Sequence, residues 1–126
     1  MNLLLDTHIL LWWLADDPRL PRIAHGLMVD SGNTLHVSVA ALWEVALKNG
    51  KGKLQVDPEE VLCEIEAEGF VILPVHARHV MSLARLAPHH ADPFDRIMVA
   101  QAATESMRLL SHDGVLSRYG DMVMWV

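Results

Sequence analysis

Four acidic residues of this sequence have the type and the spacing to bind a divalent cation. Asp6 directly follows a short apolar run, and Asp113 follows a second run of the same kind. Glu44 lies among apolar neighbours in a predicted helix, and Asp95 lies in the first turn of another. Converging carboxylates repel one another unless hard cations separate them, and Mg²⁺ and Mn²⁺ prefer carboxylate oxygen and water. If the fold brings the four acids together, a Mg²⁺ or Mn²⁺ site is expected.

Each acid taken alone also has an ordinary structural explanation. Asp6 and Asp113 can each cap a helix or form a turn. Glu44 can pair with Lys48 one turn further along its helix. Asp95 suits the positive N-terminal end of a helix. Taken together, the four acids favour the metal-site interpretation, because three of them lie at strand or helix ends that should face one edge of a sheet.

The elements that must position these acids alternate between short apolar runs and helical patterns. Strands are predicted over residues 2–5, 34–37, 70–73, 108–110 and 122–126. Helices are predicted over residues 7–15, 21–30, 39–48, 58–68, 77–86, 92–106 and, as a short piece, 114–119, with a loop over residues 49–53. Such alternation is typical of βαβ units. We therefore expect an α/β three-layer sandwich with a central, mainly parallel sheet of about five strands, in which ligands bind beyond the carboxyl ends of the strands.

Composition narrows the class of protein. A chain of 126 residues, 52% of them hydrophobic, predicts one domain over residues 1–126 with a core of its own. The longest apolar run, residues 9–15, is too short to span a membrane. Cys63 is the only cysteine, which excludes an internal disulfide and fits a reducing cytoplasm. The net charge of −6 is unusual for a nucleic-acid binder, unless some of the acids lie in a site where cations offset them.

Four segments in order along the chain carry a family resemblance: LLLDTHILLW, SVAALWEVALK, DPFDRIMVAQA and LLSHDGVLSRYG. With them the sequence resembles the PIN-domain ribonucleases, in particular the VapC-type toxins of toxin–antitoxin pairs, over essentially its whole length. The resemblance implies a PIN-like fold and a Mg²⁺- or Mn²⁺-dependent endoribonuclease. It also implies a homodimer and a cognate antitoxin, a segment of which lies in a groove that Trp12 or Trp13 could line. No membrane partner is expected.

Carried over residue by residue, the resemblance implies that the catalytic and metal-binding acids are Asp6, Glu44, Asp95 and Asp113. Thr7 and Ser111 would support them by orienting water or a carboxylate. Asp92 is interpreted as a helix cap and an outer-sphere helper. His112 stands where many members have a small residue, so its role stays open.

Other interpretations and other residues remain. The chain could be a catalytically inert PIN-like binding module, although the presence of all four acids argues against that. The chain could also be an aspartyl-phosphate phosphotransfer domain, but such a domain requires further acids close to Asp6, which the sequence lacks. His89 and His90 have no ligand spacing typical of zinc, and we expect loop residues there. Lysines in and beside the loop over residues 49–53 could contact phosphates or simply be solvated.

Overall fold

The computed structural model describes residues 1–126, in which five strands alternate with six α-helices. The strands are Asn2–Leu5 (β1), Thr34–Ser38 (β2), Val71–Leu73 (β3), Arg108–Ser111 (β4) and Val123–Trp125 (β5). The helices are Thr7–Leu14 (α1), Arg22–Val29 (α2), Val39–Gly50 (α3), Pro58–Ala67 (α4), Ala77–Leu83 (α5) and Pro93–Thr104 (α6), with a 3₁₀ helix over Leu116–Tyr119. None of these helices combines the length and the apolar character needed to cross a bilayer.

The strands form one sheet in the order β3-β2-β1-β4-β5, and every neighbouring pair is parallel. Leu4 of β1 pairs with His36 on one side and with Leu109 on the other. The predicted three-layer α/β architecture is confirmed, and the sheet is wholly rather than mainly parallel. Parallel sheets of this kind are covered by the helices that connect their strands.

The central strand β1 is buried on both of its faces. Leu3, Leu4 and Leu5 have no exposed surface, and Leu109 and Leu110 of β4 have none either. This burial explains why these strands read as continuous apolar runs rather than as an alternating pattern. The core therefore holds the ends of β1 and β4 in place, together with the residues that directly follow them.

Several predicted boundaries shift. The loop expected to begin at Asn49 begins later, because α3 continues to Gly50, and Gly52 then adopts a left-handed φ of 71° that glycine tolerates. The helix expected to reach residue 86 ends at Leu83. His79 of α5 has no exposed surface, and its Nδ1 accepts a hydrogen bond from His76 N over 2.9 Å.

The order of the strands reverses at β1. The chain passes from β1 through β2 to β3 on one side, and then places β4 and β5 on the other side. In open parallel sheets such a reversal opens a crevice at the carboxyl ends of the two strands concerned, and ligands bind there. Asp6 follows β1 and Ser111 ends β4, so both residues lie at this crevice.

Candidate active site

Asp6 is the first residue of the site, because it follows β1 and caps α1. Its Oδ1 accepts a hydrogen bond from His8 N over 3.0 Å, and its Oδ2 accepts one from Ser111 Oγ over 2.6 Å. Only 4% of Asp6 is exposed. Burial raises the pKa of the Asp6 carboxyl, although the hydrogen bonds from Ser111 and His8 act in the opposite direction. The carboxylate is therefore held in one orientation at the end of the strand.

Ser111 connects Asp6 with Asp113. While its hydroxyl donates to Asp6, the same oxygen accepts a hydrogen bond from Asp113 N over 3.0 Å. The Oδ1 atom of Asp113 accepts from Val115 N over 2.9 Å, so this acid also closes the turn expected of it. One serine thus sets the positions of two of the four predicted acids.

Glu44 is almost fully buried in α3, with 3% of the residue exposed. Its Oε1 accepts a hydrogen bond from Thr7 Oγ1 over 2.6 Å, and its Oε2 pairs with Lys48 Nζ. The pairing with Lys48 that the sequence suggested is present, but at a buried rather than an exposed position. Burial lowers the pKa of Lys48, yet the hydrogen bond and charge of Glu44, with the charges of Asp92 and Asp95, raise it overall.

Asp92 caps α6, as its sequence context predicts. Its Oδ1 accepts hydrogen bonds from Phe94 N over 2.8 Å and from Asp95 N over 3.0 Å. Asp95 is thereby fixed in the first turn of the helix, half-buried beside other acids. Burial, followed by the negative charges of Asp6, Asp92 and Glu44, raises the pKa of Asp95 to about 7. Asp6, Asp92 and Glu44 thus lie close enough to Asp95 for their charges to act on it.

His90 is part of this cluster, although the sequence interpretation treated it as an ordinary loop residue. Its Nε2 lies 2.9 Å from Asp113 Oδ2 and 3.5 Å from Asp95 Oδ2. Its Nδ1 accepts a hydrogen bond from Asp92 N over 3.0 Å, so Nε2 carries the proton and points at the two carboxylates. His89, in contrast, packs its ring on Tyr119, 5.0 Å between centroids. No local spacing signals His90, because only the folded loop brings it to the acids.

These residues border an open cleft at the carboxyl ends of the strands. It is lined by Asp6, His8, Trp12, Asp95, His112 and Asp113. Ligating atoms of His90, Asp95 and Asp113 lie within 4.8 Å of one another. The donor set is dominated by carboxylate oxygen, which fits a hard divalent cation such as Mg²⁺ or Mn²⁺. Asp6, Asp95 and Asp113 could hold such an ion in the cleft.

The comparison with protein families decides the relationship. A family model described as the PIN domain matches residues 3–122 of the chain. This chain belongs to the PIN domain family. No curated protein sequence gives a significant match.

Solved structures share the fold of this PIN domain. VapBC2 from Rickettsia felis, crystallised with a DNA fragment from their promoter, matches with a TM-score of 0.73 and 17% identity, over 100% of this chain and 98% of that chain. VapBC-1 from nontypeable Haemophilus influenzae matches with a TM-score of 0.68 and 16% identity, over 100% of this chain and 97% of that chain. FitAcB from Neisseria gonorrhoeae matches with a TM-score of 0.63 and 18% identity, over 98% of this chain and 96% of that chain. At these identities the likeness establishes the fold.

Some of the predicted site residues of this PIN domain line the cleft and others do not. Three of the four acids line the cleft, whereas Glu44 is not among the lining residues and has both carboxylate oxygens engaged. Trp12 and Trp13 are both half-buried and pack against the hydrophobic core. Trp12 borders the cleft, while the ring centroid of Trp13 lies 6.5 Å from that of Phe70. Only Trp12 is thus placed to contact anything bound at the site.

Proposed function

We propose that this PIN domain is a metal-dependent endoribonuclease and the toxin of a toxin–antitoxin pair. The observation that carries the proposal is the convergence of Asp6, Asp95 and Asp113 on one cleft at the reversal of strand order. The raised pKa of Asp95, about 7, supports it, because acids crowded and buried in this way are typical of functional sites. A bound divalent cation would offset the repulsion among the acids, which adds to the effect of burial on this pKa.

The proposed roles follow from the contacts of each acid. Asp6 and Asp95 would hold Mg²⁺ or Mn²⁺ directly, and Asp113 would complete the ligand shell. Glu44, whose oxygens are engaged by Thr7 and Lys48, acts through its charge and through water. When bound, the ion lowers the pKa of water and offsets charge on the leaving oxygen of the RNA phosphodiester.

The hydroxyl groups of the site act as positioning groups in this proposal. Ser111 fixes the orientation of Asp6, and Thr7 fixes that of Glu44. Partners that hold ligands in this way commonly change metal affinity by about 10–100-fold when they are removed. Asp92 contributes by capping α6, which sets the first turn from which Asp95 reaches the cleft.

The proposed partners are a cognate antitoxin and a second copy of this chain, with RNA as the substrate and the cytoplasm as the location. The structural relatives support the antitoxin proposal, because those from Rickettsia felis and Haemophilus influenzae are VapBC structures. An apolar groove beside the cleft, lined among others by Leu11, Trp12, Leu54 and Val56, is a surface on which an antitoxin segment could lie.

The deciding experiment is cleavage of total cellular RNA by the purified chain. Discrete cuts that require Mg²⁺ or Mn²⁺, stop with chelator and are absent with Asp95→Asn are expected. Glu66→Gln, an exposed acid of α4, is the matched control and should cut like the parent chain. If the parent chain makes no cuts and binds no divalent ion, the chain is an inert PIN-like module and the proposal is wrong.

A further inference from the structure

Aromatic rings run in consecutive contact along the rim of the cleft. The ring centroids of His8 and Trp12 are 5.8 Å apart, and those of Trp12 and His112 are 6.0 Å apart. His112 and Trp125 follow at 6.2 Å, with their planes within 6° of parallel. We call these four residues the aromatic strip. Three of its members, His8, Trp12 and His112, line the cleft that holds the acids.

The outer end of the strip is both exposed and held in place. Trp125 is 58% exposed, yet its indole Nε1 donates a hydrogen bond to the His112 carbonyl over 3.2 Å. Trp125 also stands opposite Ser111 in the register of β5 with β4. The indole is therefore positioned from the same strand end that orients Asp6, and its large apolar surface stays open to a ligand.

Most residues that line the cleft beside the strip are ionisable. Of the six residues that line the cleft, only Trp12 is apolar. A protein segment that docks through apolar side chains would find more partners in the neighbouring groove, which shares His8 and Trp12 with the cleft and adds Leu11, Leu54 and Val56. Flat rings between carboxylates instead suit a ligand that is itself flat and aromatic on one side and charged on the other. A nucleotide has this character.

From this arrangement we propose that the aromatic strip binds unpaired bases of the RNA by stacking, next to the phosphate that is cut. The inference rests on the proposed ribonuclease function and deepens it. Stacking supplies an attraction that the charge of the cleft does not, since the chain carries a net charge of −6. The guanidinium of Arg19, which is paired with Asp17, lies 5.5 Å from the Trp12 ring centroid at one end of the strip.

Stacking on the strip requires a base with a free face. A base inside a duplex is stacked on its neighbours and presents no free face, whereas an unpaired base can lie flat on an aromatic side chain. Sequence preference at the strip should be weak, because every base has a stacking face.

The test measures RNA binding apart from cleavage, in the full chain carrying Asp95→Asn. The probe is a fluorescein-labelled oligoadenylate of about 12 nucleotides, single-stranded or annealed to its complement, followed by anisotropy. Trp125→Ala should weaken binding of the single strand about 10-fold, and Trp125→Phe should stay within about 3-fold of the parent. Trp125→Leu fills space without stacking and should behave like Trp125→Ala, and the duplex should bind weakly to all forms.

Trp43→Ala is the matched control, because Trp43 is 63% exposed but lies against Phe94, away from the cleft. It should bind the single strand like the parent. Equal binding by Trp125→Ala and the parent, or an equal loss in Trp43→Ala, would overturn the inference. So would unchanged RNA binding together with altered self-association in Trp125→Ala, since the strip would then be a protein contact.

The two proposals can fail separately. Metal-dependent cuts by the chain with Asp95 intact, together with unchanged binding in Trp125→Ala, would leave the ribonuclease standing without the stacking strip. Stacking-dependent binding without any cuts that depend on Asp95 would leave an RNA-binding module. Absence of single-strand binding in every form would reject the strip.

Discussion

Ser111 and Asp6 are 105 residues apart in the sequence and are joined by a buried hydrogen bond of 2.6 Å from Ser111 Oγ to Asp6 Oδ2. The bond ties the ends of the two neighbouring strands β1 and β4 at the crevice between them. Since the same serine oxygen accepts from Asp113 N, one hydroxyl links two acids of the proposed metal site.

Ser111→Ala should weaken Mn²⁺ binding by about 10-fold, because Asp6 loses the group that orients it and that lowers its pKa. Ser111→Thr keeps the hydroxyl and should recover most of the affinity. Calorimetric titration of the chain with Mn²⁺ gives the constants directly. An alanine variant with parental affinity would show that Asp6 needs no partner.

Asp95→Asn should stabilise the metal-free protein at alkaline pH. The folded state raises the pKa of Asp95 from 3.8 to about 7, so it binds the proton more tightly than the unfolded chain does. The free energy of unfolding that this preference contributes is fully present below pH 3.8 and is lost as the pH rises through about 7. In chelator near pH 8 the variant should exceed the parent by about 1–2 kcal/mol in urea unfolding, and the gap should close towards pH 4. A variant less stable than the parent at pH 8 would contradict the cause given for the shift.

Lys48→Met should destabilise the fold by about 1–3 kcal/mol, because it leaves the buried Glu44 carboxylate without its charged partner. The Lys48 side chain is 32% exposed, which keeps the expected loss below that of a fully buried pair. Adding Glu44→Gln in the same chain should recover part of the loss, and a double-mutant cycle measures the coupling. Lys51→Met, in the exposed turn after α3, is the control and should unfold like the parent.

His90→Asn should bind Mn²⁺ several-fold more tightly than the parent chain. The asparagine oxygen can still accept from Asp92 N, as His90 Nδ1 does, but the N–H that occupies Asp95 and Asp113 is gone. A cation would then meet no competing donor. Weaker binding by His90→Asn would instead identify the imidazole as a metal ligand.

Acid should destabilise this protein in part through His79. Burial lowers the pKa of His79 below 6.5, so the unfolded chain takes up its proton first as the pH falls. The stability that the neutral ring contributes is present above pH 6.5. It is lost as the pH falls from 6.5 towards the lower pKa that His79 has in the folded state. Unfolding free energies measured across this window should fall less steeply in His79→Gln than in the parent. Equal slopes would show that the buried ring does not control the acid response.

The parts of the fold that local sequence determines were predictable. Asp92, followed by Pro93, predicts the start of α6, and the structure places the cap there. The apolar run before Asp6 predicts β1, because a strand buried on both faces needs no polar alternation. Strand ends of a parallel sheet share an edge, which is why the sequence could bring Asp6 and Asp113 to one place.

The missed features depend on tertiary contacts. His90 reaches the acids through a loop without periodicity, and nothing in its neighbours distinguishes it from His89. Glu44 stays a predicted member of the acidic site, and its hydrogen bond from Thr7, 37 residues away in the sequence, is a contact that only the fold creates. His79 reads as a surface residue from helical spacing alone, but packing of α5 on α6 buries it.

The position of β1 in the middle of the sheet also governs when the carboxylate site can exist. Asp6 leaves the ribosome more than a hundred residues before Ser111, so a nascent chain that still lacks β4 cannot form the crevice between β1 and β4. Bringing such distant segments together carries a loop-closure cost that slows folding. A complete acidic cleft therefore requires that β4 has been synthesised, and a chain terminated before β4 would lack it.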